Sequence, residues 1–525
     1  MEEQLARNLA GRCSVGDIAT RGAAHHPNRL ALVDGDVRLT YQEFNRLACR
    51  LGQALMKPGQ VREAPVAIMG RNTWQFVVSF FGAAKAGRVA MPINLGLDAE
   101  NIAYCLRDAG AQMLIADAGL APLVEAVRRH LPELADVVWY GDGVDPAVSF
   151  EAFLALGSEE EPEVYVDDRE AVQLLYTSGT TSRPKGVLTS HLAVTITALS
   201  SALQNQLTYQ DRTLHILPLF HCAALNALAM PGFVTGGTAY LLPAFDAGRV
   251  AELVESERLT IVFLLPMMWQ ALLEAPGIRT RQLDSLRLAM FAMAPMLDSR
   301  IAELQELFPN ANVLLGSGQT EFTPPTTFQL PQHQRVKSGS WGSAVATTDV
   351  RIMDDNGRLL ENGQVGEIVY RGPQAMTAYL HQEEATQAAF RHGWFHSGDV
   401  GWMDEEGVVW FTDRKKDMVK TGGENVASLE VERCLLAHPA VMDVSVIGIP
   451  HPYWGEAVMA LVIPRAGVTV DEATLLTFAK ERLAGFKVPK RVLFVQQFPR
   501  TGTGKIQKNL LRETYRHLFD SDGTA

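Results

Sequence analysis

The chain has 525 residues, 47% of them hydrophobic, and a formal net charge of −12. That length exceeds what one core usually supports, so more than one domain is expected. The acidic balance argues against a nucleic-acid partner, which needs a concentrated basic surface; the short basic stretches Asp413-Arg414-Lys415-Lys416 and Lys487-Val488-Pro489-Lys490 suit a small anion at most.

The start, Met1-Glu2-Glu3-Gln4, lacks the basic-then-apolar order of a secretory leader. Cys13, Cys49, Cys105, Cys222 and Cys434 lie far apart with no CxxC pair. They read as neither a disulfide framework nor a zinc site, and a reduced cytoplasm is expected. Val66-Ala67-Ile68-Met69 predicts a buried strand, residues 73–85 an amphipathic helix stopped by Gly87, and Val89-Ala90-Met91-Pro92 the next strand. This βαβ order implies parallel sheet with helices on its faces, and it recurs around residues 112–116 and 260–264. Glu159-Glu160-Glu161 marks an acidic loop. The most apolar run, residues 261–273, contains Pro266 and Gln270 and is too short to span a bilayer.

From about Trp341 the pattern changes. Residues 350–353, a turn at Asp354-Asp355-Asn356-Gly357, and residues 366–370 and 407–411 predict short antiparallel strands. Beyond Lys416, Ser428 is expected to N-cap a helix reaching Ala437, with strands over residues 441–449 and 458–463. Thr469-Val470-Asp471-Glu472 reads as a capping box for a helix to Leu483. The fold class expected is α/β. A large N-terminal domain of layered α/β sheets with a small barrel-like β part spans residues 1–415. A small, mobile α+β C-terminal domain spans 416–525.

The most informative stretch is Tyr176-Thr177-Ser178-Gly179-Thr180-Thr181-Ser182-Arg183-Pro184-Lys185-Gly186, which follows a buried strand at 172–175. Hydroxyls crowd a glycine whose missing side chain admits backbone N–H groups to an anion, and Lys185 adds a mobile positive charge. It is not a Walker A loop, because Pro184 stands where that pattern needs glycine and Gly186 follows the lysine. On residue types alone an ordinary polar turn stays open.

In its full order, the stretch resembles the signature loop of adenylate-forming enzymes (acyl- and aryl-CoA ligases, nonribosomal adenylation domains, luciferases). Four further motifs follow in family order. Gly316-Ser317-Gly318-Gln319-Thr320-Glu321 resembles the adenine-binding loop, and Trp394-Phe395-His396-Ser397-Gly398-Asp399 the ribose-binding motif. Asp413-Arg414-Lys415-Lys416-Asp417 resembles the hinge, and Pro499-Arg500-Thr501-Gly502-Thr503-Gly504-Lys505 the catalytic-lysine loop. The resemblance covers nearly the whole chain. It implies an acid–thiol ligase, an acyl-CoA synthetase that uses ATP, Mg²⁺ and coenzyme A.

The implied roles follow the motifs. Thr177, Ser178, Gly179, Thr180, Thr181 and Lys185 would cradle the triphosphate, with Thr177 also at the reacting centre. Gly316, Ser317, Gly318, Gln319 and Thr320 would hold adenine. Glu321 would bind Mg²⁺, a hard cation suited to oxygen ligands. Asp399 would accept from the ribose hydroxyls, and Arg414 would add a charge-assisted contact. Lys505 would neutralise the attacking carboxylate and the α-phosphate together. Lys416 would be the hinge about which the C-terminal domain swings, withdrawing Lys505 and presenting Gly422 and Gly423 to the pantetheine arm.

Leu219-Phe220-His221 matches a segment whose histidine borders the acyl site, and the following run through Ala229 is small and apolar. His221, Ala223, Met267, Ala292 and Met293 are the expected acid contacts, and no basic residue there suits a second carboxylate. A largely apolar monocarboxylic acid is expected. Three residues depart from the family pattern: Ser182 for a common glycine, Ser317 for an aromatic platform under adenine, and Ala292-Met293 for a glycine-rich pair. Alternatives stay open: thioesterification of an acyl-adenylate supplied by an adenylating partner enzyme, loading of a carrier-protein phosphopantetheine, or a non-catalytic acyl- or nucleotide-binding protein.

Overall fold

The computed structural model describes residues 2–57, 64–134, 136–177, 183–292, 296, 298–500 and 506–519. Their contacts form two compact units. The first takes residues 2–177, 183–350 and 370–395, the second 351–369 and 396–519.

In the first unit the βαβ expectation holds. Val66–Met69 pairs in parallel with Ala90–Pro92 on one side and Met113–Asp117 on the other. The intervening helix, Trp74–Lys85, starts where the Thr73 hydroxyl accepts from the Phe76 amide at 3.3 Å. Phe76, Phe80 and Phe81 on it are buried, each contributing roughly 1.5–3 kcal/mol by leaving water. Among the described residues this sheet has seven strands, in the order Ala378–Tyr379, Lys185–Ser190, Ala171–Thr177, Ala90–Pro92, Val66–Met69, Met113–Asp117, Asp136–Tyr140. Lys185–Ser190 runs antiparallel to both of its neighbours among the first three strands, and that edge carries Thr177 and Lys185.

A second sheet of nine strands contains a parallel run from Leu30–Asp34 through Thr238–Leu241, Arg212–His215, Ile261–Phe263 and Leu288–Phe291 to Asn312–Ser317. The apolar run expected near residue 261 splits into the strand Ile261–Phe263 and the helix Pro266–Leu273. Glu159, Glu160 and Glu161 are an ion-pairing loop: Glu159 meets Arg46 and Arg50, and Glu161 neutralises the buried Lys85 at 2.5 Å. None of the five cysteines is in a disulfide. Among the described residues no helix is long and apolar enough to cross a membrane.

The second unit carries most of a four-stranded sheet (Asp349–Met353, Gly366–Arg371, Phe395–Met403, Val409–Arg414) and a five-stranded sheet. The latter is built around the long antiparallel pair Val441–His451 and Gly455–Pro464. Two helix starts differ from expectation. The helix Ser428–Leu436 has Ala427 at its N-cap and no side-chain cap, because the Ser428 hydroxyl instead accepts from Lys508 Nζ at 2.7 Å. The helix Glu472–Lys480 is capped by Asp471, whose carboxylate accepts from the Thr474 amide at 2.9 Å; Thr469 lies outside it.

Candidate active site

The strands Ala171–Thr177 and Lys185–Ser190 are antiparallel neighbours with Thr177 directly opposite Lys185. The two flanks of the expected phosphate loop therefore lie across from each other on paired strands. Ser178, Gly179, Thr180, Thr181 and Ser182 lie outside the described residues. The flanks are well held: the Tyr176 hydroxyl donates to Asp108 at 2.6 Å, and the Arg183 guanidinium lies 4.9 Å from the Tyr104 ring centre. Lys185 places its Nζ 5.0 Å from the centre of the Tyr379 ring.

Tyr379 is also the partner of Glu321, donating from its hydroxyl to Oε1 at 3.1 Å. One aromatic side chain thus brings together the end of the phosphate loop and the candidate metal carboxylate. Burial, with Glu321 beside it, pushes the Tyr379 phenol upward, so it stays protonated and able to donate.

The turn bearing Glu321 is fixed from several sides. Gly316 and Ser317 end the strand Asn312–Ser317 and pair with Phe328 and Thr327. A Cβ on Gly316 would stand 2.5 Å from the Phe328 ring, so only glycine fits. Gly318 and Gln319 lead into the 3-10 turn Thr320–Phe322. Phe322 is buried against Tyr370 and Phe395. The Met376 amide donates to the Glu321 carbonyl at 2.9 Å. Fully buried Gln374 faces its amide NH₂ to the carbonyls of Phe322, Thr323 and Pro325, at 3.3, 3.2 and 2.8 Å. Its Oε1 accepts from Thr347 and Thr348. Thr323 is held at φ +29, a strained angle for a β-branched residue, inside this clamp.

On the acid side, His221 N-caps the helix Cys222–Ala224, its Nδ1 accepting from the Ala223 amide at 3.2 Å. A five-residue π-helix, Leu225–Ala229, follows. Its Asn226 is fully buried and exchanges two amide hydrogen bonds with Gln173, at 3.1 and 3.0 Å. Of this segment only His221, Ala223 and Ala227 are partly accessible through Ala229. Ala292 is also partly accessible, while Met267 is 62% exposed and its neighbour Trp269 is core, donating to the Met290 carbonyl. Met293 lies outside the described residues.

In the second unit Asp399 and Arg414 face each other across an antiparallel pair, with 3.5 Å between Oδ1 and Nε. Glu367 organises the turn before Asp399: it pairs with His396 at 3.2 Å, accepts from the Gly398 amide at 3.0 Å and meets Lys415 at 3.2 Å. Burial opposes ionisation of Glu367, yet these partners hold its carboxyl below the usual range. Lys416 is shifted downward, first by burial and then by Arg414. Gly422 and Gly423 form a two-residue hairpin turn with φ of +58 and +86, joining Thr421 to Glu424. The Gly422 amide donates to the Trp454 carbonyl at 2.8 Å, and a Cβ there would meet the Trp454 ring at 3.0 Å. Residues 501–505, including Lys505, lie outside the described residues, bracketed by the bridged pair Arg500 and Ile506.

No cluster of three metal-ligating side chains occurs among the described residues. A lone, partly accessible carboxylate at Glu321 suits Mg²⁺, which takes one or two carboxylates and completes its shell with substrate phosphates and water. Tyr379 and Gln374 were not anticipated from sequence. Neither belongs to a recognisable motif, and both reach the site through the segment 370–395.

The chain matches the AMP-binding enzyme family over residues 19–380 and the AMP-binding enzyme C-terminal domain over residues 430–505. It is 36% identical over 517 residues to a feruloyl-CoA synthase of an Amycolatopsis species, covering 95% of this chain and 99% of that protein. It is 35% identical over 505 residues to the long-chain-fatty-acid–CoA ligase FadD13 of Mycobacterium tuberculosis, covering 96% and 98%. The crystal structure of ATP-bound MatB from Rhodopseudomonas palustris superposes with a TM-score of 0.88 at 30% identity, covering 96% of this chain and 99% of that one.

Proposed function

The chain belongs to the AMP-binding enzyme family and is an AMP-forming acid–CoA ligase using ATP, Mg²⁺ and coenzyme A; on that premise we propose that its acid is a largely apolar monocarboxylate. The observation that carries this reading is the lining of the acid segment. Between Cys222 and Thr235 there is no charged side chain, and from Cys222 through Ala229 the partly accessible positions are the small Ala223 and Ala227. Such a face leaves room for hydrocarbon and offers nothing to a second carboxylate. The acids for which the two relatives are named, ferulic and long-chain fatty acids, are of this class.

The reaction runs in two displacements. A carboxylate oxygen attacks the α-phosphorus and pyrophosphate leaves; the thiol of coenzyme A then attacks the acyl carbon and AMP leaves. We assign Thr177, the loop hydroxyls and Lys185 to the triphosphate, and Glu321 to the metal, with Tyr379 holding the Glu321 carboxylate in place. When bound, Mg²⁺ neutralises phosphate oxygens as charge shifts to the leaving group. Gly316 to Thr320 hold the base, and Asp399 with Arg414 the ribose. Lys505 neutralises the two anions that must meet in the first displacement. The piece from Lys416 onward then exchanges Lys505 for the Gly422–Gly423 turn.

The test is thioester formation followed by mass spectrometry, with long-chain, arylpropenoic and short dicarboxylic acids, ATP, Mg²⁺ and coenzyme A. Long-chain or arylpropenoic acids should be converted, and Lys505→Ala should abolish that while sparing transfer from supplied acyl-adenylate. A preference for short dicarboxylates would refute the substrate class. Transfer without any ATP-dependent product would mean that an adenylating partner is required.

A further inference from the structure

Cys222 sits in an apolar run where alanine or valine would serve for packing, yet its buried thiol makes a specific polar contact. Its Sγ lies 3.2 Å from Thr320 Oγ1 and 3.9 Å from His221 Nδ1. His221 Nδ1 already accepts the Ala223 amide hydrogen, so that nitrogen carries no proton and cannot donate to sulfur. The Sγ–Oγ1 contact is therefore a thiol–hydroxyl hydrogen bond, made by the first turn of the acid segment and the first residue of the turn that carries Glu321.

From this juxtaposition we propose that Cys222 is a positioning residue that couples the acid segment to the nucleotide loop by holding the Thr320 hydroxyl, and with it the Thr320–Phe322 turn. The proposal rests on the assignment of Ala223 to the acid and of Thr320 and Glu321 to MgATP. A displacement at Ala223, caused by the bound acid, is passed to the adjacent Cys222 and thence to Thr320. The far side of the same turn cannot yield, because Gln374 and Met376 hold it through backbone carbonyls. Acid identity thereby tunes how well MgATP is held, and this coupling belongs to the first displacement; transfer to coenzyme A, after the metal and pyrophosphate have left, does not use it.

The test compares full-length wild type with Cys222→Ala and Cys222→Ser. Three quantities are measured: MgATP binding by calorimetry with and without dodecanoic acid, acid-dependent ATP–pyrophosphate exchange, and transfer from supplied dodecanoyl-AMP to coenzyme A. Losing one net hydrogen bond should weaken MgATP binding and exchange kcat/KM by about three- to tenfold in the alanine variant. Transfer should change by less than about twofold, and serine should restore the loss, since it keeps a donor and acceptor at nearly the same place. Wild-type behaviour of Cys222→Ala would overturn the proposal. So would an equal fall in both half-reactions with no rescue by serine, the pattern of a packing defect. A wild type that exchanges with no acid would refute the ligase reading by itself, and calorimetry with MgATP would still decide the role of Cys222.

Discussion

Replacing Tyr379 with phenylalanine removes one hydroxyl and leaves the ring that faces Lys185. The hydroxyl donates to the Glu321 carboxylate at 3.1 Å. A hydrogen bond to an ionised group is worth about 1.5–3 kcal/mol, and the lower end applies at this half-buried position. About 1.4 kcal/mol corresponds to a factor of ten, so a Glu321 no longer held by Tyr379 should need about tenfold more Mg²⁺ for half-maximal exchange. The assay is a Mg²⁺ titration of acid-dependent ATP–pyrophosphate exchange, run beside metal-free transfer from acyl-adenylate as an internal control. Since burial and Glu321 keep the phenol protonated, the defect should be flat from about pH 6 to 9. Tyr379→Leu also removes the aromatic face under Lys185, and the apparent KM for ATP should rise by a further factor of about two to five. Identical Mg²⁺ titrations for wild type and Tyr379→Phe would refute the reasoning, because Glu321 would then be placed without Tyr379 or would not meet the metal.

Other outcomes follow from the second unit. Asp399→Asn should leave the melting temperature nearly unchanged, because Arg414 is 43% exposed and such a pair contributes at most about 1 kcal/mol. The KM for ATP should nevertheless rise about tenfold or more through lost charge-assisted bonds to ribose, and a normal KM would remove Asp399 from the site. Gly422→Ala imposes a left-handed angle and a 3.0 Å contact on Trp454; it should slow transfer to coenzyme A more than exchange, measured side by side. Lys508→Met strips the buried Glu432 of its 2.7 Å partner, at a cost of about 3–5 kcal/mol near pH 8. Burial already raises the Glu432 carboxyl, so its favourable contribution is full below the unfolded value and is lost as pH rises through the folded one. Without Lys508 that folded value rises further, and the defect should shrink toward pH 5, read by hydrogen exchange of the strand Val441–His451.

Local patterns carried most of what was legible in the sequence. The βαβ start is written in contiguous apolar runs, and the polar stretch after the strand 171–177 resembles a phosphate loop only in its full residue order, since its residue types alone leave an ordinary turn open. What escaped depends on partners far away. Tyr379 reaches the site because Ala378–Tyr379 adds to the edge of the sheet beside Lys185–Ser190, a register that no short motif encodes. Gln374 joins it by satisfying three carbonyls in a turn some fifty residues earlier. Ser428 has the right residue type for a cap, but Lys508, eighty residues on, takes its hydroxyl. Met267 and Trp269 show the same ambiguity at short range: both suit an apolar wall, yet one is exposed and the other fills the core. The contacts group residues 351–369 and 396–415 with the C-terminal segment, while Lys416 stays the proposed pivot.

The reciprocal amide pair of Gln173 and Asn226 has a practical meaning for redesign. The π-helical backbone of the segment we assign to the acid is pinned to the strand Ala171–Thr177 by the side chains of Gln173 and Asn226. If Ala223 and Ala227 line the acid as proposed, they are cladding on a fixed frame, and either can be enlarged without asking the frame to find a new shape. Shortening the accepted acid, one methylene-sized step at a time, should therefore be easier here than in a pocket whose lining residues also hold its backbone.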